Sequence, residues 1–183
     1  MSYIKIIILY FDKYNVINMK YFLVGFMGSG KSKIGKEISK RNSISFFDLD
    51  VIIEEEENKS ILKIFEEHGE SYFRKLEKKA LHKIIRKDNI LVATGGGTPC
   101  YYNSMDTMNT VGKTIYLSCS EAILYRRIIQ KTKKRPLINN LSRKKLKVFI
   151  KETLQRRRYF YEKANYIVNS NKENIEEIIK ILR

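Results

Sequence analysis

One eight-residue segment limits the folds open to this chain more than any other part of it. Residues 25–32 have the sequence Gly-Phe-Met-Gly-Ser-Gly-Lys-Ser, which matches the pattern G-x-x-x-x-G-K-[ST] at every fixed position. The apolar run Tyr21–Val24 comes directly before it, and Ile34 and Ile38 follow at helical spacing. A strand, a glycine-rich turn and a helix in this order predict one unit of a parallel α/β sheet.

This turn is typical of a site that binds phosphate groups. Glycines allow the loop to curl until backbone N–H groups face phosphate oxygens, and the start of the helix adds further N–H groups. Lys31 would reach the β- and γ-phosphates of a nucleotide, and the hydroxyl of Ser32 would bind Mg²⁺. A purely structural turn is the alternative. The residues expected to contact the nucleotide are Gly28, Ser29, Gly30, Lys31, Ser32 and Lys33.

The rest of the chain alternates short apolar runs with longer amphipathic segments. The predicted strands are Tyr21–Val24, Ser45–Phe47, Ile90–Thr94, Thr114–Leu117 and Tyr166–Val168. The predicted helices are Lys31–Arg41, two or three segments between 51 and 86, Glu121–Gln130, Leu141–Lys163 (one helix or two in series) and Asn174–Leu182. The segments between 51 and 86 are expected to be interrupted at Asn58-Lys59-Ser60 and at His68-Gly69. This alternation predicts one α/β domain, residues 19–183, with a five-stranded parallel sheet and helices on both faces. Residues 1–18 are predicted to be a dispensable extension.

The composition narrows the possible partners. Lys and Arg number 36 against 20 Asp and Glu, a net charge of +16, which favours an anionic ligand. The charge is spread along the chain without an aromatic-interleaved basic motif, so we do not expect nucleic-acid binding. Two cysteines cannot form a disulfide framework, and no apolar run reaches the roughly 18 residues that span a bilayer. These features predict a cytoplasmic protein without a membrane partner.

Candidate ligand-binding residues follow the second and third predicted strands, where a parallel sheet binds its ligands. If the backbone of Asp48-Leu49-Asp50 stays extended, both carboxylates share one face. Asp48 would then hold hydrated Mg²⁺, and Asp50 would accept a hydrogen bond from a substrate hydroxyl. A helix N-cap pair is the alternative. The triplet Gly95-Gly96-Gly97 is explained either by a ligand close to its N–H groups or by a tight turn.

The chain resembles the shikimate kinase family in five features that occur in a fixed order along the sequence. They are Gly25–Ser32, Asp48-x-Asp50, Phe-Arg-x-x-Glu at 73–77, Gly95-Gly96-Gly97 and Arg135-Pro136-Leu137. The resemblance implies a sheet of the nucleoside-monophosphate-kinase type with a mobile lid. It also implies transfer of the γ-phosphoryl group of ATP, with Mg²⁺, to the 3-hydroxyl of shikimate, in the biosynthesis of chorismate and the aromatic amino acids.

The resemblance also assigns roles to single residues. Arg74 and Arg157 would bind the carboxylate of shikimate, with Arg156 as the alternative to Arg157. Asp50 would orient the 3-hydroxyl, and the glycine triplet, Gly97 above all, would offer main-chain N–H groups to the substrate.

Two further arginines are assigned to the nucleotide. Arg135 resembles the lid arginine that closes over the phosphates during transfer, although without the family pattern it is equally explained as a solvated cation. Arg127 resembles the arginine that stacks on adenine.

Two other functions stay open at this stage. One is a related small-molecule kinase that acts on gluconate or a nucleotide, and the other is a non-enzymatic, nucleotide-dependent module that binds RNA or another anion. For the kinase we expect a monomer.

Overall fold

A five-stranded parallel sheet organises the protein. The structure, a computed structural model, describes residues 19–130, 136–138, 141–172 and 174–182. The strands are β1 (Lys20–Val24), β2 (Ser45–Asp48), β3 (Ile90–Ala93), β4 (Lys113–Ser118) and β5 (Tyr166–Asn169). Their order across the sheet is β2-β3-β1-β4-β5, and every neighbouring pair is parallel. The predicted fold class is therefore confirmed.

Helices connect the strands. They are α1 (Lys31–Arg41), α2 (Leu49–Glu57), α3 (Ile61–Ile84), α4 (Ser104–Val111), α5 (Glu121–Ile129), α6 (Arg143–Tyr161) and α7 (Ile175–Ile181). Short 3₁₀ turns cover Thr98–Cys100 and Pro136–Ile138. No helix in the described ranges is both long enough and apolar enough to cross a membrane.

The side chains of β1 alternate between two hydrophobic layers. Phe22 and Val24 pack into one layer, whereas Tyr21 and Leu23 pack into the other, and all four are at most 1% exposed. This alternation follows from the two-residue period of a strand. The central strand is therefore covered on both faces, as is usual in a parallel α/β sheet.

The register of the strands brings the predicted site segments to one edge. Ala93 lies opposite Leu23 of β1 and also opposite Asp48 of β2. The phosphate loop after β1, the acidic pair at the end of β2 and the glycine triplet after β3 consequently begin side by side.

The helices between β2 and β3 are interrupted at the two places that the sequence predicts. α2 ends before Asn58, which has a left-handed φ of 51°, and Ser60 caps the next helix by accepting a hydrogen bond from the N–H of Lys63. Gly69 has a φ of 75° and kinks α3. Both interruptions are confirmed. α4, in contrast, was not predicted.

Candidate active site

Two adjoining cavities lie at the carboxyl edge of the sheet. The first has a volume of about 420 Å³, and the phosphate loop lines one side of it. The second has a volume of about 360 Å³ and lies between α3, α6 and the glycine triplet. Met27, Asp50 and Gly96 line both cavities. Two ligands bound there would meet at these three residues.

The phosphate loop has the backbone that its glycines allow. Gly28 and Gly30 have φ values of 83° and 104°, in the left-handed region that favours glycine. α1 begins directly afterwards at Lys31, so the N–H groups of its first turn lie at the loop. All six residues expected to contact a nucleotide, 28 to 33, line the first cavity.

Lys31 lies folded against its own loop. Its Nζ donates hydrogen bonds to the carbonyl oxygens of Gly25 and Phe26, at 2.7 and 3.0 Å, and the residue is only 8% exposed. The ammonium group is thus held beside the cavity on flexible methylene groups. Ser29 is fully buried in the same loop, and its Oγ has no hydrogen-bond partner among the described residues.

Ser32 and Asp48 are hydrogen-bonded to each other in the wall of the first cavity. The hydroxyl of Ser32 donates to Oδ2 of Asp48 at 2.5 Å, while Oδ1 of Asp48 accepts from the backbone N–H of Asp50 and caps α2. Two oxygen ligands next to a phosphate loop fit Mg²⁺, which keeps several waters and needs few protein ligands. The capping interpretation of Asp48 is confirmed, and capping leaves Oδ2 at the cavity.

The assumption of extended backbone between Asp48 and Asp50 is wrong. α2 begins at Leu49, because the Asp48 cap starts the helix immediately after the strand. Asp50 therefore lies in the first turn of α2 rather than two residues along a strand. It nevertheless lines both cavities, and Asp48 lines the first.

Arg74 is buried in the wall of the second cavity and held by two glutamates. Its Nη1 is paired with Glu77, its Nη2 lies 2.7 Å from Oε1 of Glu70, and its Nε donates to the same oxygen at 3.1 Å. The guanidinium also lies 4.6 Å from the ring centroid of Tyr101. Burial alone would lower the pKa of Arg74, but the two carboxylates raise it overall, so the side chain stays charged.

The two glutamates differ in exposure. The side chain of Glu77 is 2% exposed, whereas that of Glu70 is 42% exposed. Burial would raise the pKa of Glu70, but its hydrogen bonds to Arg74 and the arginine charge outweigh this and lower that pKa. Oε1 of Glu77 accepts a hydrogen bond from Thr98 at 2.6 Å. Each oxygen of the buried Glu77 carboxylate thus has its own donor.

The glycine triplet makes room for charged side chains. A Cβ on Gly95 would collide with Oε1 of Glu77, and a Cβ on Gly97 would lie 2.5 Å from Nη1 of Arg74. A Cβ on Gly96 would lie 3.4 Å from Nη1 of Arg157 and 3.2 Å from the backbone nitrogen of Met27. Close approach therefore explains the triplet, although the approaching groups belong to the protein itself.

Arg157 and Arg156 have different surroundings. Arg157 is 9% exposed, lines the second cavity and lies 5.9 Å from the ring centroid of Phe26. Arg156 is exposed, and its Nη2 donates to Oγ1 of Thr153 at 3.3 Å. Among the described residues, Arg157 is the arginine of this pair that lies on the same cavity wall as Arg74.

Arg127 connects the phosphate loop to the loop after β5. Its Nη1 donates to the carbonyls of Gly28 and Ser29, both at 3.3 Å, and its Nη2 donates to that of Ser170 at 2.9 Å. Ser170 in turn donates from Oγ to the carbonyl of Ser29 at 2.6 Å. Arg127 lines the first cavity and also holds the phosphate loop in place.

Several contributors to the site were not predicted. Thr98 and Ser170 carry no motif of their own, and their contacts join distant parts of the chain. Glu77 was part of the motif at 73–77 without an assigned role, and no role was predicted for Tyr161. Arg135 and the rest of 131–135 lie outside the described residues, as does the extension 1–18.

Comparison with known proteins decides the family. The sequence model of the shikimate kinase family matches residues 27–183. The chain belongs to the shikimate kinase family. The shikimate kinase of Phocaeicola vulgatus is 40% identical over 168 residues, which cover 90% of this chain and 96% of that protein. Family membership makes the chain a phosphotransferase that uses ATP, and the resemblance seen in the sequence is confirmed.

Solved structures of the family agree with this assignment. The crystal structure of shikimate kinase from Bacteroides thetaiotaomicron has a TM-score of 0.83 and 36% identity, covering 90% of this chain and 96% of that one. Shikimate kinase from Acinetobacter baumannii in complex with shikimate has a TM-score of 0.84 and 27% identity, covering 93% and 94%. Deoxyadenosine kinase from M. mycoides, at a TM-score of 0.55 and 19% identity over 90% of this chain and 99% of that one, shares the fold alone.

Proposed function

We propose that the two joined cavities transfer the γ-phosphoryl group of ATP to the 3-hydroxyl of shikimate. ATP would occupy the first cavity and shikimate the second. One observation carries this proposal: Arg74 and Arg157 lie in the wall of the second cavity, which shares Asp50 with the cavity of the phosphate loop. A small carboxylate with hydroxyl groups matches that arrangement.

The donor count of Arg74 suits a carboxylate ligand. A guanidinium has five N–H groups, and three of those on Arg74 bond to Glu70 and Glu77 in the described structure. Nη1 and Nη2 each retain one further N–H group, and two parallel N–H groups are what a bidentate carboxylate contact needs. Arg157 would supply the second cation from another helix and fix the orientation of the ring.

Asp50 and Gly97 would place the hydroxyl groups. Asp50 lines both cavities, so its carboxylate can accept a hydrogen bond from the 3-hydroxyl at the junction where the phosphoryl group arrives. The backbone N–H of Gly97, which follows the neighbouring strand β3, would also bind the substrate. These contacts serve positioning, which together with electrostatics supplies most of the catalysis in phosphoryl transfer.

The first cavity would hold the nucleotide. Lys31 would turn from the Gly25 and Phe26 carbonyls to the β- and γ-phosphates, while the loop N–H groups bind their oxygens. Ser32 and Asp48 would hold Mg²⁺, which when bound neutralises charge on the phosphates. Arg127 would contact adenine with the face of its guanidinium, since its edges bond to carbonyls of the loop. Arg135 would close over the phosphates.

A panel of acceptors tests the proposal. ADP release with Mg-ATP is measured with shikimate, gluconate and nucleoside monophosphates at equal concentrations. We expect turnover with shikimate and rates near background with the other acceptors, because neither offers a single ring carboxylate to Arg74 and Arg157. Activity with gluconate or a nucleotide, and none with shikimate, would overturn the proposal.

The working unit would be a monomer of residues 19–183. Every described residue that lines either cavity lies between Met27 and Ser170. A variant beginning at Met19 should therefore keep its kcat/KM for shikimate, and turnover per chain should not depend on protein concentration. Cys100 and Cys119 are free thiols, which supports a reducing compartment such as the cytoplasm.

A further inference from the structure

Tyr161 contacts the glycine triplet from outside both cavities. It is the last residue of α6 and is fully buried, with its ring centroid 5.1 Å from that of Tyr116. Its hydroxyl donates a hydrogen bond to the carbonyl oxygen of Gly96 at 2.5 Å. Burial raises the pKa of Tyr161, although the charge of Arg157 partly offsets this, so the phenol stays protonated and remains a donor.

A bond to the Gly96 carbonyl also determines the direction of the next N–H group. The peptide bond is planar and trans, so the carbonyl of Gly96 and the N–H of Gly97 point in opposite directions within one rigid unit. A hydrogen bond that fixes the carbonyl therefore fixes the N–H. Gly97 lines the second cavity, whereas Tyr161 lines neither cavity.

The Gly96–Gly97 peptide lies at the start of a short turn, in which the N–H of Thr98 donates to the carbonyl of Gly95 at 3.2 Å and the N–H of Cys100 donates to that of Gly97 at 2.8 Å. It joins two glycines, which lack the Cβ atoms that restrict rotation about φ and ψ in other residues. A peptide between two glycines therefore rotates more easily than others, and only some of its orientations would present the Gly97 N–H to a ligand. The hydroxyl of Tyr161 selects one orientation before substrate arrives, which lowers the entropy cost of binding.

We propose that Tyr161 is a positioning residue for the acceptor substrate, because its hydroxyl holds the Gly96–Gly97 peptide and thereby aims the N–H of Gly97. The inference rests on the proposed function, in which that N–H binds shikimate. Tyr161 also stands one helical turn after Arg157 and interacts with its side chain. Successive turns of α6 therefore carry a proposed ligand of the substrate and the residue that holds the glycine triplet.

Steady-state kinetics of Tyr161→Phe provide the first test, with Tyr116→Phe as the matched control. The control removes a buried hydroxyl from the neighbouring ring, which lies near Ser118 rather than the triplet. For Y161F we expect a rise of about fivefold to tenfold in the KM for shikimate, the usual effect of one lost hydrogen bond, with the KM for ATP unchanged. Y116F should keep both KM values. Thermal unfolding verifies that both variants fold.

Nuclear magnetic resonance provides a second test of the role of Tyr161. A purely structural role would not change the signals of the Gly96 carbonyl and the Gly97 amide selectively. Labelling with both [¹⁵N]glycine and [1-¹³C]glycine selects the amides of glycines that are preceded by another glycine. Among the nine glycines of the chain, only Gly96 and Gly97 are preceded by a glycine. The correlation of the Gly97 amide carries the ¹³C shift of the Gly96 carbonyl. We expect that carbonyl to shift in Y161F and the Gly97 amide to broaden, with both unchanged in Y116F.

The outcomes separate the two proposals. If the wild-type enzyme does not turn over shikimate, the proposed function fails. If the wild-type enzyme is active but Y161F keeps its KM for shikimate, raises both KM values equally, or leaves the Gly96 carbonyl shift in place, the role of Tyr161 is wrong and the proposed function stands.

Discussion

A Cβ atom on Gly97 would lie only 2.5 Å from Nη1 of Arg74. Real Cβ atoms essentially never come so close to another heavy atom, so Arg74 can occupy its place only because residue 97 has no side chain. The backbone of Gly97 has a φ of −96°, which any residue can adopt. The glycine is thus required by the arginine rather than by its own conformation.

Gly97→Ala should displace Arg74 without blocking the turn. We expect the KM for shikimate to rise roughly tenfold to hundredfold, because a bidentate charge-assisted contact is lost, while the KM for ATP changes little. Steady-state kinetics measure this. Arg74→Lys should also raise mainly the KM for shikimate, since lysine cannot form the bidentate contact.

A double-mutant cycle shows whether Gly97→Ala acts through Arg74. If it does, the alanine should add little to the effect of Arg74→Lys, because the guanidinium that it displaces is already absent. Full additivity of the two effects on the KM for shikimate would contradict this explanation. Unchanged kinetics in Arg74→Lys would remove Arg74 from the substrate site altogether.

Local patterns predicted much of the fold and the positions of the site residues. The phosphate loop needs only its own glycines and the apolar strand before it, and the predicted strands Tyr21–Val24 and Ile90–Thr94 rest on contiguous apolar runs. The kink at Gly69 was likewise predicted from a local feature, the glycine itself. α4 escaped prediction because it is short, has no side-chain cap and places only Ser104, Met105 and Met108 in the interior.

What the sequence did not reveal are contacts between distant residues. Tyr161 and Gly96 are 65 positions apart, and Thr98 and Glu77 are 21 apart. Neither partner forms a motif with the other, so only the fold shows that they meet. The order of the strands likewise depends on how helices cover both faces, which the apolar runs alone do not determine.

The buried glutamate should matter more to Arg74 than the exposed one. Glu77→Gln leaves the guanidinium without its buried counter-charge, so we expect the free energy of unfolding to fall by about 2–3 kcal/mol and the KM for shikimate to rise. Glu70→Gln should cost less than about 1 kcal/mol, since water screens the exposed side chain. Urea denaturation and kinetics compare the two variants. Equal losses would show that burial does not decide the strength of these pairs.

Lys31→Ala should abolish phosphoryl transfer and leave the fold intact. The alanine removes the cation proposed for the β- and γ-phosphates, and we expect kcat to fall by roughly 10²-fold or more. Lys36→Ala, at an exposed position of the same helix, is the control and should keep its kcat. Far-ultraviolet circular dichroism verifies the fold. Near-normal turnover in Lys31→Ala would exclude the proposed role.

Asp48→Asn separates the capping role of this residue from its charge. Asparagine caps helices as well as aspartate, so α2 should stay folded, but the loss of charge should raise the Mg²⁺ concentration needed for half-maximal rate by roughly tenfold. A titration of Mg²⁺ at fixed ATP measures this. Asp88→Asn, before β3 at the opposite edge of the sheet, should not alter the titration. An unchanged midpoint in Asp48→Asn would contradict the metal assignment.

Cys100 should react slowly with alkylating reagents near neutral pH, despite its position beside two arginines. Burial raises the pKa of its thiol to about 11, and the charges of Arg157 and Arg74 only partly oppose this effect. At pH 8 roughly one thiol in a thousand is then ionised, against about a quarter for an ordinary cysteine. We expect the rate of carboxymethylation to increase about tenfold per pH unit from pH 7 towards pH 10, as the thiolate fraction grows.

Mass spectrometry of the peptide that contains Cys100 measures the rate, with a short cysteine peptide as reference. Rapid labelling at pH 7 would mean that the arginines, rather than burial, control this thiol.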